Sequence, residues 1–227
     1  MFRKKVDVNT TSFGRDARDS DTTALFHRIR AFPGWFNVDD VAHFTLVLRL
    51  QEQLGVRGDI FEIGSYHGRS TAVLAALLGP GEVLYVCDAF EREVHESYAD
   101  QPSPERLLAN VAAANDGLDL DQIVVLEGYS HEIELPDTEL RFCHIDGGHE
   151  TSAIEADLAR CADRTVAGAV IAVDDYEHPR FPAVRPAVDA FVAARPEFER
   201  LADLNRHGAR GRKIYLVRRL GPQSSTS

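Results

Sequence analysis

Acidic side chains and histidines gather at the ends of two apolar runs in this sequence. His144-Ile-Asp146-Gly-Gly-His149 closes the first run, and Asp174-Asp175 closes the second. If the two runs are neighbouring strands of a parallel sheet, three carboxylates converge at one edge, where they repel one another unless a cation is present. Oxygen ligands of this kind suit Mg²⁺ or another hard divalent ion. The alternative is that Asp146 caps a helix and that Asp174 and Asp175 are turn residues.

A glycine-rich turn lies earlier in the chain. Glu62-Ile-Gly64-Ser-Tyr66-His-Gly68 ends one apolar run, and Asp88 ends the next, twenty residues after Gly68. Glycines let the backbone approach a ligand at a helix N-terminus, and this spacing is where nucleotide-binding units place a carboxylate on ribose hydroxyls. The ExGxxxG form of the turn is closer to an S-adenosylmethionine pocket than to the GxGxxG turn of an NAD pocket. The alternative is a plain connection between a strand and a helix.

The elements that must position these residues follow from hydrophobic periodicity. Short β-rich runs alternate with helical patterns, which is typical of a parallel α/β sheet. We expect strands at residues 59–64, 81–88, 122–128, 140–146, 166–175, 198–205 and 212–219, and helices at 39–54, 69–78, 104–114, 150–163 and 183–194. A short polar connection separates the last two strands, which predicts a closing antiparallel hairpin. The expected fold is therefore a seven-stranded, mostly parallel sheet with helices on both faces.

Composition excludes several classes of partner. The 227 residues include 25 Lys and Arg against 36 Asp and Glu, for a formal net charge of −11. Nucleic acid and anionic membranes are disfavoured because binding to them depends on clustered basic residues, so a small molecule or a neutral glycan is expected. The three cysteines show no CxxC spacing, which indicates neither a disulfide framework nor a zinc site and favours a reducing, cytoplasmic location. We expect no signal peptide and no membrane span.

Four ordered motifs carry a resemblance to a known family. They are FEIGSYHGRST at residues 61–71, VCDAF at 86–90, HIDGGHETSAIEADL at 144–158 and VIAVDDYEHP at 170–179. Together they resemble the class I S-adenosylmethionine-dependent methyltransferases. Within that class they are similar to the metal-dependent sugar O-methyltransferases of the macrocin and mycinamicin type and to the related cephalosporin hydroxylase branch. The resemblance covers about residues 56–218 and implies a Rossmann-like α/β fold.

The resemblance also implies roles for individual side chains. Cofactor binding is implied for Glu62, Gly64, Ser65, Tyr66, Gly68, Ser70, Asp88, Ala89, Gly128, Tyr129, Ser130 and Asp146. Among these, Asp88 matches the ribose-binding acid, and Gly128, Tyr129 and Ser130 match residues that line the adenine. Metal binding is implied for Asp146, Asp174 and Asp175. Catalysis is implied for His149 as general base, together with Asp146.

The identity of the base stays open at this stage. His67, His144 and His178 are alternatives to His149, and a histidine on a strand such as His144 is commonly structural. The chain departs from the family at Gly148, where relatives often have Asp. Many relatives also carry longer N-terminal or inserted segments that shape the acceptor pocket.

Acceptor binding is assigned to Tyr176, His178 and Trp35. The first two could equally lie in a solvated loop, and Trp35 could instead anchor the first helix. We expect a lid formed by residues 89–103 and by the aromatic stretch 32–36. The expected organisation is an N-terminal arm or lid at 1–38, one S-adenosylmethionine-binding methyltransferase domain at 39–220 and a flexible tail at 221–227.

These features predict a Mg²⁺-dependent O-methyltransferase that uses S-adenosyl-L-methionine. The expected acceptor is a sugar hydroxyl in a glycosylated natural product, or in an oligosaccharide such as a methylated mannose polysaccharide precursor. A sugar hydroxyl is a poor nucleophile, so a divalent ion that lowers its pKa, a histidine that takes its proton and an in-line approach together supply the chemistry. The alternatives are a catechol or phenolic O-methyltransferase and a non-catalytic cofactor-binding protein. A homodimer is expected by analogy with the family.

Overall fold

The computed structural model describes residues 22–90 and 101–220. The helices are α1 (Thr22–Ile29), α2 (Val38–Gln53), α3 (Arg69–Ala76), α4 (Pro104–Ala114), α5 (Thr151–Ala162) and α6 (Val184–Ala194). The strands are β1 (Asp59–Ile63), β2 (Leu84–Asp88), β3 (Ile123–Glu127), β4 (Leu140–Ile145), β5 (Thr165–Tyr176), β6 (Phe198–Asn205) and β7 (Arg212–Arg218).

All of these strands belong to one sheet with the order β3-β2-β1-β4-β5-β7-β6. The first five strands in this order are parallel to one another, and β7 is antiparallel to both β5 and β6. The predicted fold class, including the C-terminal hairpin, is confirmed. The strand order reverses between β1 and β4, so the crevice beyond their carboxyl ends is where a ligand is expected in such a sheet.

Apolar side chains bury both faces of the sheet. Successive strand residues point to opposite faces, so Ile60 packs with α1 to α4 while Phe61 packs with α5 and α6. The same alternation separates Phe142 from Cys143 on β4. Because helices cover both sides, the central strands read as continuous apolar runs, and a polar side chain within them needs a buried partner.

One helix was not expected from the sequence. Residues 22–29, within the segment predicted as an N-terminal arm, form α1, and Leu25 and Ile29 are buried in the core. Arg28 donates from Nε to the carbonyl of Ala114 at the end of α4, 2.6 Å away. The described part of the predicted arm therefore packs on the domain, whereas residues 1–21 and the predicted tail at 221–227 lie outside the described residues.

The second helix begins at a complete capping box. Asn37 accepts from the backbone N–H groups of Asp39 and Asp40, and the Asp40 carboxylate accepts from the N–H of Asn37. This box satisfies N–H groups that the first helical turn leaves without partners. It also brings the fully buried Asp40 to the carboxyl end of the sheet. None of the helices in the described ranges is long and apolar enough to cross a membrane.

Candidate active site

The turn after β1 is organised around Asp88 at the end of β2. The Asp88 Oδ2 atom accepts hydrogen bonds from the backbone N of Ser65 at 2.6 Å and of Tyr66 at 2.8 Å, and from the Ser65 hydroxyl at 3.0 Å. Its Oδ1 atom accepts from the N of Phe90 at 2.7 Å. Tyr66 has a φ of 51°, a left-handed conformation that these bonds hold in place. Asp88 thus ties the turn after β1 to the neighbouring strand end.

Gly64 is required where this turn passes β4. Its φ is 83°, and a Cβ atom at this position would lie 2.0 Å from the carbonyl oxygen of Asp146. Gly68, with a φ of 86°, precedes the first turn of α3, whose opening N–H groups face the same edge of the sheet. The close approach at Gly64 joins the cofactor turn directly to the acidic strand end of β4.

Glu62 connects the turn after β1 to α3 and β4 through buried hydrogen bonds. It is fully buried, and its carboxylate accepts from the Thr71 hydroxyl on α3 at 2.5 Å and from Nδ1 of His144 on β4 at 3.0 Å. Glu62 and His144 are register partners on adjacent parallel strands, so their side chains share one face of the sheet. Among the residues expected to bind cofactor, Glu62 is therefore placed inside the core, where it orders the turn.

The residues after β3 lie beside the ends of β1 and β2, at the carboxyl edge of the sheet. The N–H of Gly128 donates to the carbonyl of Asp88 at 2.9 Å, and the ring of Tyr129 stacks on that of His131 at 5.6 Å. The structure thus brings the predicted residues of β1, β2 and β3 together along one edge. Burial raises the pKa of the Asp157 carboxyl on α5, and the nearby Ser130 side chain partly offsets that rise.

We call Asp146, Asp174, Asp175 and His149 the acid rim. The structure brings them together, as predicted: ligand atoms of Asp146, His149 and Asp175 lie within 4.8 Å of one another, as do those of His144, Asp146 and Asp174. Asp175 has a φ of 55°, and its Oδ2 atom lies 2.9 Å from Nε2 of His149. The His149 ring stacks on Phe181 at 3.6 Å between centroids. Asp175 and Phe181 therefore fix the orientation of His149, whose side chain remains 31% exposed.

Asp174 differs from its neighbours because two buried cations flank it. Lys213 Nζ lies 2.8 Å from its Oδ2 atom, and Arg206 contacts both of its oxygens at 2.5 and 2.9 Å. Burial by itself raises the pKa of Asp174, but Lys213 and Arg206 lower that pKa to about 2. Lys213 and Arg206 are therefore sufficient to keep Asp174 ionised at neutral pH, and no metal ion is needed for this.

Asp146 has the opposite electrostatic environment. Asp146 is exposed, and within the described ranges its carboxylate accepts no hydrogen bond. The protein atoms packed around it, followed by the charge of Asp174, raise its pKa well above the ordinary value. A carboxylate in this position is stabilised by any added positive charge.

The hydrogen bonds of His144 remove it as a candidate base. Its Nδ1 atom donates to Glu62, so its Nε2 atom accepts from Lys213 Nζ, 3.0 Å away. Burial first, and Lys213 second, lower its pKa, and the side chain has no exposed surface. His144 is a neutral core residue with both ring nitrogens in use.

The other two candidates are also placed away from a proton-accepting role at the rim. His67 is fully buried beneath the ring of Tyr66. His178 accepts at Nδ1 from the backbone N of Arg180 at 3.1 Å. His149 is the member of the set that combines a partly exposed ring with a carboxylate on one nitrogen.

The residues assigned to the acceptor lie in different surroundings. Tyr176 is 3% exposed, and its hydroxyl donates to Asp189 on α6 at 2.9 Å, so this side chain faces the core and not the rim. Trp35 is 70% exposed and packs on Tyr66 with ring centroids 5.2 Å apart. Arg69 holds the Trp35 segment by donating to the carbonyl of Phe32 at 2.7 Å. Residues 91–100 of the predicted lid lie outside the described residues.

The sequence did not single out Lys213, Arg206 or Asp40. Lys213 is fully buried on β7, Arg206 is 8% exposed just after β6, and both approach Oδ1 of Asp40, at 3.7 and 3.5 Å. The sequence offers one indication of these ion pairs. Lys213 lies at the start of the apolar run of β7, and a lysine buried there needs an anionic partner. Nothing local in the sequence names that partner.

Comparisons with known proteins identify the fold and the family. The fold is that of the class I methyltransferases. Residues 61–176 match the family model described as a methyltransferase domain, about half of the chain, and the chain belongs to that family. No curated protein matches the sequence.

Several solved structures share the fold. The O-methyltransferase NovP is 19% identical with a TM-score of 0.63, over 86% of this chain and 88% of that chain. TomG of Streptomyces achromogenes, an O-methyltransferase of tomaymycin synthesis solved with SAM, is 19% identical with a TM-score of 0.60, over 88% and 90%. CalS11, a TDP-rhamnose 3'-O-methyltransferase of calicheamicin biosynthesis, is 20% identical with a TM-score of 0.56, over 86% and 92%.

Proposed function

We propose that this protein is an S-adenosylmethionine-dependent O-methyltransferase that methylates a hydroxyl of a saccharide and uses a divalent cation held at the acid rim. The observation that carries the proposal is the contact between the two halves of the edge. The turn that would hold the cofactor meets the acid rim at Gly64, where a single Cβ atom would strike the backbone of Asp146. A methyl donor and an acceptor hydroxyl bound on either side of this contact would be neighbours.

The chemistry of methyl transfer assigns a task to His149. As the hydroxyl oxygen bonds to the methyl carbon, the sulfur–methyl bond breaks, and the hydroxyl proton must go to a base. Nε2 of His149 faces Asp175 at 2.9 Å, so Asp175 accepts from this nitrogen and leaves Nδ1 to receive the proton. Asp175 also stabilises the cationic histidine that results. No covalent intermediate with the protein is needed.

The donor set at the rim fits a hard divalent cation. Asp146 accepts no hydrogen bond from the described residues, and its protein surroundings and the charge of Asp174 raise its pKa, so an added cation would stabilise its ionised form. Asp175 lies beside it. Mg²⁺ commonly binds one or two carboxylates and completes its shell with water and substrate oxygens. Such an ion, when bound, lowers the pKa of the hydroxyl it contacts. Asp146 and Asp175 would hold it, and vicinal sugar hydroxyls suit the remaining positions.

Sugar specificity is the finer part of the proposal. The TDP-rhamnose methyltransferase CalS11 shares the fold, which supports a saccharide acceptor. The formal charge of −11 favours a neutral acceptor over a polyanionic one. A glycosylated natural product and a mannose-type oligosaccharide both meet this description.

The test is methyl transfer from S-adenosylmethionine to a panel of sugars, glycosides and catechols, with Mg²⁺ and then with EDTA. We expect turnover on saccharides that EDTA abolishes. Replacing His149→Gln should lower kcat by about 10²-fold or more, the usual contribution of a positioned base. The control His27→Gln, which alters an exposed histidine on α1, should leave kcat within a few-fold.

The competing outcomes are distinct. Turnover on catechols but not on glycosides would assign the phenolic function. Cofactor binding without turnover on any hydroxyl would indicate a non-catalytic protein. Turnover indifferent to EDTA would remove the cation from the proposal while leaving methyl transfer intact.

A further inference from the structure

All acceptor positions of the Asp174 carboxylate are in use. Its Oδ1 atom accepts from the backbone N of Asp175 at 2.7 Å and from Arg206 at 2.5 Å. Its Oδ2 atom accepts from Lys213 at 2.8 Å and from Arg206 at 2.9 Å. A carboxylate offers about four lone-pair positions, so these four donors leave none for a metal ion. The neighbouring members of the acid rim are not saturated in this way.

The two cations cannot easily leave Asp174. Lys213 is fully buried, and its Nζ atom also lies over the rings of Phe36 and Phe44, at 5.2 and 5.0 Å from their centroids. Removing the partner of a buried charge leaves an unpaired charge in the core, which is costly. A metal ion at Asp174 would have to displace a buried cation and accept that cost.

The same carboxylate fixes the backbone of the next residue. Asp175 adopts a left-handed φ of 55°, and its N–H is held by Oδ1 of Asp174. This conformation directs the side chain of Asp175 toward His149 and the open side of the rim. Asp174 therefore influences the rim through the backbone of Asp175.

We propose that the cation centre of this protein is formed by Asp146 and Asp175, and that Asp174 is a positioning residue clamped by Lys213 and Arg206 instead of a metal ligand. The proposal differs from the three-carboxylate site that the sequence resemblance implies. It rests on the proposed function for the presence of a cation and is independent of the identity of the acceptor.

The electrostatics of the rim agree with this division. Lys213 and Arg206 lie against Asp174 and Asp40, so two buried cations face two buried anions. Asp175 shares Arg206 at a longer distance, 3.9 Å, than the 2.5 to 2.9 Å of the contacts at Asp174, and within the described residues Asp146 forms no ion pair. One divalent ion would balance these two acids.

Binding of Mn²⁺ to the purified full-length protein, followed by the loss of its free electron paramagnetic resonance signal, tests this assignment without any methyl acceptor. We expect Asp146→Asn and Asp175→Asn each to weaken Mn²⁺ binding by about tenfold or more. Asp174→Asn should weaken it no more than Asp40→Asn does. Asp40→Asn is the matched control because it removes one charge from the same buried cluster without touching the rim.

A second comparison separates positioning from ligation. Asn at position 174 can still accept from the N–H of Asp175, whereas Ala cannot, so Asp174→Ala should weaken Mn²⁺ binding more than Asp174→Asn does. If Asp174→Asn does not fold, the double variant Lys213→Met with Asp174→Asn removes the ion pair as a unit and should retain Mn²⁺ binding. Folding is checked by circular dichroism and by binding of S-adenosylhomocysteine.

Equal losses of Mn²⁺ binding for Asp174→Asn and Asp175→Asn would overturn the proposal, because both residues would then be ligands. Absence of Mn²⁺ binding to the wild-type protein would overturn it as well. The first result leaves the proposed function intact, and the second removes only the cation from it. Methyl transfer is judged separately by the assay with and without EDTA. The failure of this inference and the failure of the proposed function are therefore distinguishable.

Discussion

Two carboxylates at the same edge of the sheet, Asp88 and Asp174, are held in different ways. Asp88 is surrounded by backbone N–H groups of the turn after β1 and of the residues that follow β2. Asp174 is surrounded by the side chains of Lys213 and Arg206. The donors around Asp88 are neutral and leave its charge uncancelled, whereas two cations neutralise Asp174 within the core.

The carboxyl edge of the sheet therefore has two halves. At the ends of β1 and β2, local backbone geometry forms the site; at the end of β5, ion pairs between residues distant in sequence form it. The first half depends on glycines that allow the turn to close on Asp88. The second depends on the hairpin of β6 and β7, which brings its cations to the end of β5. Each half is expected to fail through its own kind of substitution.

The largest effect is expected for Lys213→Met. Loss of this cation leaves Asp174 with one partner in a buried site, and breaking such a pair typically costs about 3–5 kcal/mol of unfolding free energy. Urea denaturation monitored by fluorescence or circular dichroism measures it. The control is Arg219→Ala, which removes an exposed pair with Glu199 and should cost less than about 1 kcal/mol. Similar losses for the two variants would show that the clamp adds nothing.

Gly64→Ala is the matching test of the backbone-built half. The new methyl group would lie 2.0 Å from the carbonyl oxygen of Asp146 on a backbone with a φ of 83°. Steric overlap and left-handed strain together should cost about 3 kcal/mol and should abolish S-adenosylhomocysteine binding. Urea denaturation and titration with S-adenosylhomocysteine measure the two effects.

Gly81→Ala is the control for this substitution. Gly81 has a φ of 76°, yet a Cβ atom at this position would have no other atom within 4 Å, so backbone strain is the whole effect. We expect a loss of about 1 kcal/mol with cofactor binding intact. If the two alanine variants were equally stable, the close approach between Gly64 and Asp146 would not be a constraint.

The backbone-built half could be predicted from the sequence because its determinants are local. Gly64, Gly68 and Asp88 lie within one strand–turn–helix–strand unit, and their spacing alone indicates that the turn and the acid meet. The alternation of apolar runs likewise predicted the sheet and its hairpin. The turn and the sheet are both formed by elements that are neighbours along the chain.

The ion-paired half could not be predicted because its partners are distant in sequence. Lys213 lies 39 residues from Asp174, and Arg206 lies 32 residues from it. His144 was a candidate base until its register with Glu62 placed it in the core between two partners. Convergence of three acids was predictable from strand order, but which of them is already neutralised depends on side-chain packing.

The pH dependence of stability gives a smaller and more specific test of the clamp. The pKa of Asp174 is about 2 in the folded protein against an ordinary 3.8, so the ion pair contributes its full stabilisation above the ordinary value. That contribution should be lost as the pH falls from about 4 to about 2. The unfolding free energy of the wild-type protein minus that of Asp174→Asn should therefore shrink over this interval. A difference independent of pH would contradict the lowered pKa.

Asp146→Asn should raise the unfolding free energy, whereas Asp174→Asn should lower it. This contrast is the smallest expected effect. The pKa of Asp146 is raised by its protein surroundings and by Asp174, so its ionised form is expected to cost stability at neutral pH, by an amount that its exposure to solvent reduces. In EDTA-containing buffer at pH 7, Asp146→Asn should be more stable than the wild-type protein, and the gain should vanish as the pH falls below the ordinary pKa of a carboxyl. Thermal unfolding across pH measures it. A destabilised Asp146→Asn would mean that this carboxylate has a stabilising partner, and the open half of the rim would then resemble the clamped one.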